Sequence, residues 1–412
     1  MSLSPEQPNQ WHEFVVVGGG AAGLGAAAGL LRTGARDVLI IEPSETHYYQ
    51  PLWTLVGGGV VPREASAKPM GEVIPPLARW FKEAVTAFDP AHDTVITASG
   101  RRVRYDWLVV APGLQLDWSR INGFPDALQA PEVCSNYGYE LAPRTWEAIR
   151  RFDGGNAVFT FPPPPIKCAG APQKIMYLAE HFFRKSGVRN EARVHYYCAT
   201  PTIFSSPHYA KALMENVVGP RGIETHFRHE LVAVRTSSRE AVFRDHEAQR
   251  EVVQRYDLLH VAPPMSAPDF VKRSPLANEG GWVDVDKETL QHLRYPNVFG
   301  IGDASSLPTS KTAAAIRAQL PVLLDNLDAV RFGGTPGARY DGYTSCPLVT
   351  GYGSLILAEF GYDLAPMETF PFDQSKERRS MYLLKKHVLP QIYWKGLLRG
   401  AQWPVLAQTI AD

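Results

Sequence analysis

Cys168 is the residue of this sequence whose surroundings most clearly favour chemistry. It follows Lys167 and precedes a stretch that is predicted to begin a helix at Pro172, a residue type favoured in the first helical turn. A neighbouring ammonium and a helix N-terminus both stabilise a thiolate, which is the nucleophilic form of cysteine. The other three cysteines show neither a CxxC metal spacing nor a secreted disulfide pattern; they are Cys134, Cys198 and Cys346. We therefore interpret Cys168 as a candidate reactive thiol.

A second chemical signal is a glycine-rich turn near the N-terminus. It follows a predicted strand over 14–17, opens a predicted helix over 21–31 and leads to a second predicted strand over 37–41. In such a βαβ unit the first glycine permits a tight turn, the second admits a pyrophosphate, and the third packs helix on strand. An acidic residue after the second strand accepts a ribose hydroxyl. The residues assigned to this dinucleotide site are Gly18, Gly20, Ala21, Gly23 and Glu42.

The middle of the chain opens like a second dinucleotide fold but lacks its glycines. A strand is predicted over 156–161, and the four prolines 162–165 follow it. Proline has no N–H to offer a pyrophosphate. The sequence therefore predicts that this block has lost NAD(P)H binding, and Cys168 stands where the second glycine motif would be.

Two further strands resemble those that contact FAD in the disulfide-reductase-like flavoproteins. One runs over 107–110 into Ala111 and Gly113, and the other runs over 297–301 into Gly302 and Asp303. The resemblance implies FAD, with Asp303 on its ribityl chain. A helix is predicted to begin near 309–311, so that its dipole and Lys311 stabilise negative charge on reduced flavin.

The C-terminal seventy residues differ in character. Aromatic and aliphatic residues alternate there with Lys385, Lys386, Lys395 and Arg399. This pattern favours an amphipathic region on a membrane surface, and the alternative is a helical hairpin packed on the protein. The N-terminus shows no signal or transit pattern, so we expect a peripheral membrane protein that faces the cytoplasm. The 42 basic and 42 acidic residues balance, which gives no electrostatic case for nucleic acid.

Four stretches, 49–57, 167–176, 281–291 and 340–351, resemble sulfide:quinone oxidoreductases of the type II, mitochondrial-like branch. The resemblance implies sulfide as substrate, membrane quinone as electron acceptor, and a small sulfur acceptor such as sulfite, glutathione, another thiol or sulfide. It implies a redox pair of Cys168 and Cys346, with the persulfide on Cys346 and Cys168 facing the flavin. A homo-oligomer is compatible with the resemblance, which does not decide the oligomeric state. The matching FAD-contact positions are Glu42, Gln50, Val85, Ile301 and Lys311.

The expected fold is α/β, with two Rossmann-like dinucleotide-binding-type domains plus a C-terminal amphipathic membrane-binding region. The FAD domain is predicted over 12–150 and 285–335, the second domain over 151–284, and the quinone and membrane region over 336–412. No HExxH spacing occurs, and no metal site is predicted.

Several assignments stay open. Cys134 lies where other bacterial branches carry a third functional cysteine, whereas Cys198 is interpreted as core. Plain packing is favoured over quinone contact for the aromatic candidates Tyr352, Phe360, Tyr382 and Trp394. The competing functions are a type II NADH:quinone oxidoreductase, a sulfide dehydrogenase linked to a flavocytochrome, and a flavin-binding interaction protein without turnover.

Overall fold

Two mainly parallel sheets organise residues 10–401, the part of the chain that this computed structural model describes. Strands and helices are numbered in chain order. Five strands of the first sheet run parallel, in the order β5-β2-β1-β8-β19. Strand β7 pairs antiparallel with the first half of β8, and β6 pairs antiparallel with β7. Its strands are β1 (Gln10–Val17), β2 (Val38–Ile41), β5 (Arg79–Phe81), β6 (Val85–Asp89), β7 (Thr94–Thr97), β8 (Arg102–Val110) and β19 (Val298–Gly300).

The first sheet is covered by two long helices, α1 (Ala21–Arg32) and α8 (Ala313–Arg331). Small residues along α1 let α8 approach closely, since a Cβ at Gly25 would lie 2.6 Å from Leu320 Cδ1. The central strands are continuous apolar runs, and all of Val38–Ile41 is buried. Such runs are typical of parallel strands that are covered on both faces.

The second sheet is fully parallel, in the order β10-β17-β11-β12-β13. Helix α5 packs on one face, and a three-stranded antiparallel sheet packs on the other, where Tyr197 stacks on Phe243 with ring centroids 3.8 Å apart. The elements are β10 (Val133–Cys134), β11 (Gly155–Phe161), α5 (Ala171–Ser186), β12 (Ala192–Cys198), β13 (Glu224–Phe227), β14 (His229–Arg235), β15 (Glu240–Asp245), β16 (Arg250–Arg255) and β17 (Leu258–His260).

A hairpin and two short helices complete the described chain. The hairpin packs against both α5 and α8, so it lies between the two sheets. Its strands are β20 (Thr344–Gly351) and β21 (Ser354–Phe360), and the last helices are α9 (Arg379–Leu383) and α10 (Leu389–Lys395). The remaining short elements are β3 (Thr46–Tyr48), α2 (Trp53–Gly57), β4 (Ala67–Pro69), α3 (Met70–Val73), β9 (Gln115–Leu116), α4 (Ala142–Arg151), α6 (Pro207–Leu213), β18 (Met265–Ser266) and α7 (Asp269–Lys272).

The α/β class with two Rossmann-like units is confirmed, and so are the predicted first strand, first helix and second strand. One predicted helix start is wrong. The helix expected from 309–311 begins at Ala313, because the Thr312 hydroxyl accepts a hydrogen bond from the Ala315 N–H (3.0 Å) and caps it. Lys311 therefore precedes the helix. Within residues 10–401 no helix has both the length and the apolar composition to cross a bilayer.

Candidate functional site

Two cysteines that are 178 residues apart in sequence meet between the sheets. Cys168 lies in the loop before α5, and Cys346 lies on β20. Their sulfurs are 3.3 Å apart, and both are free thiols. Helix α5 packs directly on β20, so the two elements that carry the thiols are held together by the core. The spacing suits reversible disulfide formation, with a small closing movement to the bond length of about 2.0 Å.

A glycine makes this approach possible. A Cβ at Gly170 would lie 2.5 Å from Cys346 Sγ and 2.2 Å from Leu348 Cδ2. Any side chain at this position would force the Cys346 and Leu348 side chains to move. Cys168 itself has a left-handed backbone, with φ of 85°. Outside glycine this conformation is uncommon, and it clusters at functional sites.

The two thiols differ in acidity. The hydrogen bond from Cys346 and the nearby Lys174 and Lys385 ammonium groups hold the pKa of Cys168 well below its usual range. Burial raises the pKa of Cys346 well above its usual range, and its hydrogen bond to Cys168 adds to this. The reduced pair is therefore a Cys168 thiolate that accepts a hydrogen bond from a Cys346 thiol.

The lysines beside the pair were not identified as site residues from the sequence. Lys174 is buried on the first turn of α5, and its Nζ lies 3.3 Å from Cys168 Sγ. Burial acts to lower the pKa of Lys174, but the two sulfurs outweigh it and raise the pKa. Its position in the first turn of the helix that follows Cys168 could have identified Lys174 as a neighbour of the thiol from the sequence.

Lys385 was assigned to the polar side of a membrane-binding region, and the structure instead buries it. Its Nζ donates to the Pro51 carbonyl (3.0 Å), and it faces the thiol pair. Burial and the Lys174 charge together lower the pKa of Lys385 to about 7, although both sulfurs oppose the shift. No sequence signal separates this lysine from Lys386 beside it.

The glycine turn is tight at the places where the sequence predicts it. Gly18 has φ of 104°, and a Cβ there would lie 2.4 Å from the Ala111 carbonyl oxygen. A Cβ at Gly23 would lie 1.8 Å from the Gly18 carbonyl oxygen. At Gly20, by contrast, a Cβ would meet no atom of the described chain within 4 Å. The space over Gly20 and the start of α1 at Ala21 fits a pyrophosphate, because free N–H groups point out of a helix N-terminus.

Glu42 is held at the end of β2 by backbone donors. Its carboxylate accepts from the Gly19 N–H and from the Ser44 N–H, both at 2.7 Å. The carboxylate is thus fixed beside the turn and keeps lone pairs for ribose hydroxyls. This fits the predicted role.

Three charged groups gather where β19 ends. Asp303 follows Gly302, and burial raises the pKa of its carboxyl while Lys311 and Lys167 oppose the shift. Burial also lowers the pKa of Lys311 to about 8. The Lys311 Nζ donates to the Ser305 carbonyl (3.1 Å) and lies 4.1 Å from the centroid of the Trp282 ring. The backbones of Lys167 and Lys311 form a bridge, which brings the Cys168 loop to this strand end.

The other predicted cofactor residues are distributed around the first sheet. Val85 begins β6, Ala111 and Gly113 follow β8, and Ile301 follows β19 with its N–H donating to the Val110 carbonyl. Gln50 lies in a short 3-10 turn and is exposed. The glycine turn, the Glu42 carboxylate and the charged residues at the end of β19 thus lie on the same sheet as most of these residues. This arrangement fits FAD.

The second sheet has no equivalent turn. Strand β11 ends at Phe161, and prolines 162–165 follow directly. These four positions directly after the strand therefore have no backbone N–H to offer a pyrophosphate. The prediction that this unit does not bind NAD(P)H stays a prediction.

The remaining cysteines are buried and free. Burial raises the pKa of Cys134 to about 12 and that of Cys198 to about 11. Thiols of this kind are inert. The functional role considered for Cys134 gains no support from its environment on β10.

The aromatic quinone candidates have packing partners. The Phe360 ring meets Phe204 edge-on at 5.6 Å, and the Tyr352 hydroxyl donates to the Gly58 carbonyl (2.7 Å). Tyr382 is buried on α9, and Trp394 packs edge-on against His47. These contacts explain the residues without a ligand, and plain packing therefore stays the favoured interpretation.

The C-terminal segment packs on the dinucleotide turn. His47 contacts the Gly19 carbonyl through Nδ1 (2.9 Å) and the Tyr393 hydroxyl through Nε2 (2.6 Å). Burial lowers the pKa of His47 to about 4. Tyr393, Leu397 and Leu398 are buried, whereas Leu383 and Val388 are each 45% exposed. The segment thus has one face on the protein and another toward solvent; Trp403 lies outside the described residues.

Comparison with known proteins agrees with this geometry. A family model for pyridine nucleotide-disulphide oxidoreductases matches residues 12–145. The chain is 49% identical to the mitochondrial sulfide:quinone oxidoreductase of Mus musculus over 392 residues, which are 94% of this chain and 87% of the mouse protein. It is 45% identical to the mitochondrial sulfide:quinone oxidoreductase of Dictyostelium discoideum, over 94% of this chain and 86% of that protein.

The solved structure of the sulfide:quinone oxidoreductase from the bacterium Aquifex aeolicus superposes with a TM-score of 0.80 at 18% identity, covering 96% of this chain and 93% of that one. At this identity it supports the fold alone. The two eukaryotic relatives carry the family assignment, because nearly half of the aligned residues are identical along almost the whole chain. On that ground this chain belongs to the sulfide:quinone oxidoreductase family.

Proposed function

We propose that this protein oxidises hydrogen sulfide to sulfane sulfur through Cys168 and Cys346 and passes two electrons, by way of FAD, to a membrane quinone. The proposal rests on one observation above all. Two free thiols from distant segments lie 3.3 Å apart, beside a buried lysine and next to a dinucleotide-type sheet. The named activity of the relatives agrees with that arrangement.

The sulfur atoms are transferred on the cysteine pair, and two electrons leave the pair in the last step. Hydrosulfide attacks the Cys346 sulfur of the oxidised pair, which breaks the S–S bond, leaves a persulfide on Cys346 and releases Cys168 as a thiolate. A nucleophile such as sulfite, a thiol or a second sulfide then takes the outer sulfur and leaves the Cys346 thiol. Loss of two electrons and one proton from this thiol and thiolate re-forms the disulfide.

The environment of the pair fits these roles. The low pKa of Cys168, set by Cys346, Lys174 and Lys385, makes it the better leaving group in thiol–disulfide exchange. Its loop is joined to Lys311 by the backbone bridge at Lys167, which supports Cys168 as the thiol that faces the predicted flavin site. We therefore assign the persulfide to Cys346 and the electron-transfer position to Cys168.

FAD, when bound, would accept two electrons from the cysteine pair and give them to quinone. We assign its pyrophosphate to Gly18, Gly20, Ala21 and Gly23, and its ribose to Glu42. Asp303 would orient the ribityl chain, while Lys311 would balance negative charge. Gln50, Val85, Ala111, Gly113 and Ile301 would line the remaining contacts.

We further propose that the protein attaches to a membrane through the outer face of its C-terminal segment. Leu383 and Val388 are exposed there, close in sequence to Lys386 and Lys395. Exposed apolar side chains beside lysines are typical of helices that lie in a bilayer interface. The relatives are named mitochondrial, which does not support the expected cytoplasmic orientation, so the proposal is limited to peripheral attachment.

The activity is tested by sulfide-dependent reduction of a short-chain quinone, with and without sulfite or glutathione. Cys168→Ser and Cys346→Ser should each reduce turnover to background while the protein stays yellow, because the pair works as a unit. Cys198→Ser is the matched control, and it should keep most of the turnover because it replaces a buried thiol outside the pair. Near-normal turnover in either variant of the pair would exclude the disulfide mechanism.

A second measurement separates the main alternative. Under anaerobic conditions the flavin of the purified protein should be bleached by sulfide and not by NADH, since the proline turn offers no donors to a second dinucleotide. Bleaching by NADH alone would favour a type II NADH:quinone oxidoreductase. A well-flavinated protein that reacts with neither would favour a binding role without turnover.

A further inference from the structure

Three potential metal ligands meet on the second sheet, away from the thiol pair. His195 lies on β12, and Glu224 and His226 lie on the adjacent strand β13. Glu224 is paired in register with His195, and His226 is two residues farther along, so all three side chains emerge on one face. Tyr197 lies on this same face, which the antiparallel sheet covers, whereas α5 covers the opposite face.

Two of the three distances between the ligand atoms match the edge of a tetrahedral zinc site. His195 Nδ1 lies 3.3 Å from His226 Nε2 and 3.3 Å from Glu224 Oε2. All three atoms lie within 4.8 Å of one another. A zinc ion with ligands at about 2.0–2.1 Å has ligand–ligand edges of about 3.3–3.4 Å. An octahedral ion with the same bond length would need shorter edges, of about 2.9 Å.

A neighbouring amide prepares His195 for this role. His195 Nε2 lies 3.2 Å from Asn156 Oδ1, so the amide oxygen can accept a hydrogen bond from the His195 tautomer that carries its proton on Nε2. Nδ1 is then left with a lone pair that points at His226 and Glu224. A ligating histidine almost always donates its other ring N–H to such an acceptor.

Without a cation, the arrangement sets the His195 lone pair against the Glu224 carboxylate. The Glu224 carboxylate makes no other side-chain hydrogen bond or ion pair among residues 10–401, and 54% of its side chain is exposed. Solvent can therefore supply a fourth ligand.

We propose that His195, Glu224 and His226 bind one zinc-type divalent transition-metal ion, with water in the fourth position and Asn156 orienting His195. Two imidazoles and one carboxylate are a ligand set that zinc accepts. The ion would join β12 to β13 at the edge of the second sheet. It would stabilise that sheet and take no part in sulfur transfer, so the inference goes beyond the proposed function and does not depend on it.

A second group of similar composition provides a contrast. His208, Glu368 and Asp373 lie together near the surface. There the Glu368 carboxylate already accepts from the Tyr209 hydroxyl and the Gln374 N–H, and His208 Nε2 is 3.9 Å from it. The lone pairs of that group are partly used by protein donors, which makes it a suitable control.

The test measures metal binding directly on the flavin-loaded protein. The background variant is Cys168→Ser with Cys346→Ser, so that the reactive thiols cannot bind metal. After treatment with a chelator and gel filtration, the protein is dialysed against Zn²⁺ and the bound metal is counted, and Co²⁺ is added separately as an optical probe. We expect one Zn²⁺ per chain, a four-coordinate Co²⁺ spectrum beyond the flavin band, and a higher melting temperature with Zn²⁺.

Variants then assign the site. Glu224→Gln and His226→Gln should abolish stoichiometric binding, Asn156→Ala should weaken it by about 10–100-fold, and His208→Gln should leave it unchanged. Glu224 is half exposed, so its variant should keep its flavin and its circular dichroism, which separates ligand loss from misfolding. Absence of saturable binding, binding that survives both ligand variants, or binding lost in His208→Gln would each overturn the proposal.

Discussion

The Cys168 thiolate has two stabilising neighbours at the same distance. The Cys346 sulfur and the Lys174 ammonium are each 3.3 Å from its sulfur. A thiol donor and a full positive charge both favour the thiolate, and the second effect is strong because the site is buried. The acidity of Cys168 should therefore depend on single neighbouring side chains.

Lys174→Met removes the charge and keeps the approximate length of the side chain. In the reduced protein, the midpoint of the pH profile for alkylation of Cys168 by iodoacetamide should move to higher pH. The sign follows because a positive charge lowers a thiol pKa and its loss raises it. Lys185→Met, at the exposed end of the same helix, is the control and should leave the profile in place. An unchanged profile in Lys174→Met would show that the lysine does not stabilise the thiolate.

Gly170→Ala should separate the cysteines by crowding. The added methyl would lie 2.5 Å from Cys346 Sγ and 2.2 Å from Leu348 Cδ2, so these two side chains must move apart from the loop. Overpacking of this kind costs about 1–3 kcal/mol. We expect a lower melting temperature, slower formation of the disulfide in thiol titration, and slower reduction of the flavin by sulfide. Gly71→Ala, where a Cβ meets no atom within 4 Å, should change none of these.

At the scale of elements, the C-terminal segment 379–400, which runs from the start of α9 through the turn at Gly400, has two faces with different partners. On its inner face, Lys385 lies beside the thiols, Tyr393 contacts the dinucleotide turn through His47, and Leu398 is buried in the core. Its outer face carries Leu383 and Val388. The inner face therefore packs on the protein, which was one of the two alternatives raised by the sequence, and membrane attachment through the outer face stays a proposal.

The outer face is tested by replacing both exposed residues with glutamate. Leu383→Glu with Val388→Glu should weaken co-sedimentation with anionic phospholipid vesicles and slow the reduction of long-chain quinone, because two negative charges oppose entry into the interface. Reduction of the flavin by sulfide should be unchanged. The control is Leu293→Glu, which replaces a leucine that is 62% exposed elsewhere. Equal sedimentation of both proteins would contradict attachment through this face.

At the scale of the whole molecule, the end of the described chain closes over its beginning. The turn at Gly400 approaches Ala28 of α1 so closely that a Cβ at Gly400 would lie 2.7 Å from the Ala28 carbonyl carbon. Tyr393 reaches the glycine turn through His47. The cofactor turn is thus supported by residues from the opposite end of the described chain, and the C-terminal segment should contribute to stability as well as to attachment.

Leu398→Ala measures this contribution. Leu398 is 1% exposed, and removing a buried leucine side chain costs about 2–5 kcal/mol. The melting temperature should fall, and FAD should be released at a lower temperature than in the unmodified protein. Leu383→Ala, in the same segment but 45% exposed, should change stability by no more than about 0.5 kcal/mol. Equal melting temperatures for the two variants would mean that the segment is not part of the core.

Local motifs were predictable because their physics is local. The turn at Gly18 and the start of α1 depend on backbone sterics within a few residues, and both occur where the sequence places them. The start of α8 was misplaced by a few residues because Thr312, rather than an earlier residue, caps it. The apposition of Cys168 and Cys346 came from resemblance to a family, since nothing in their own spacing implies contact.

The sequence by itself determined the α/β class, the glycine turn with its acidic partner, and the absence of a glycine turn after β11, since each depends on neighbouring residues. Only the tertiary structure decided that Lys174 and Lys385 are buried beside the thiols, that Gly170 makes room for Cys346, and that His195, Glu224 and His226 converge. A lysine among apolar residues has the same local pattern whether it faces solvent or the core. What separates the two cases is the packing of distant segments, which no short stretch of sequence encodes.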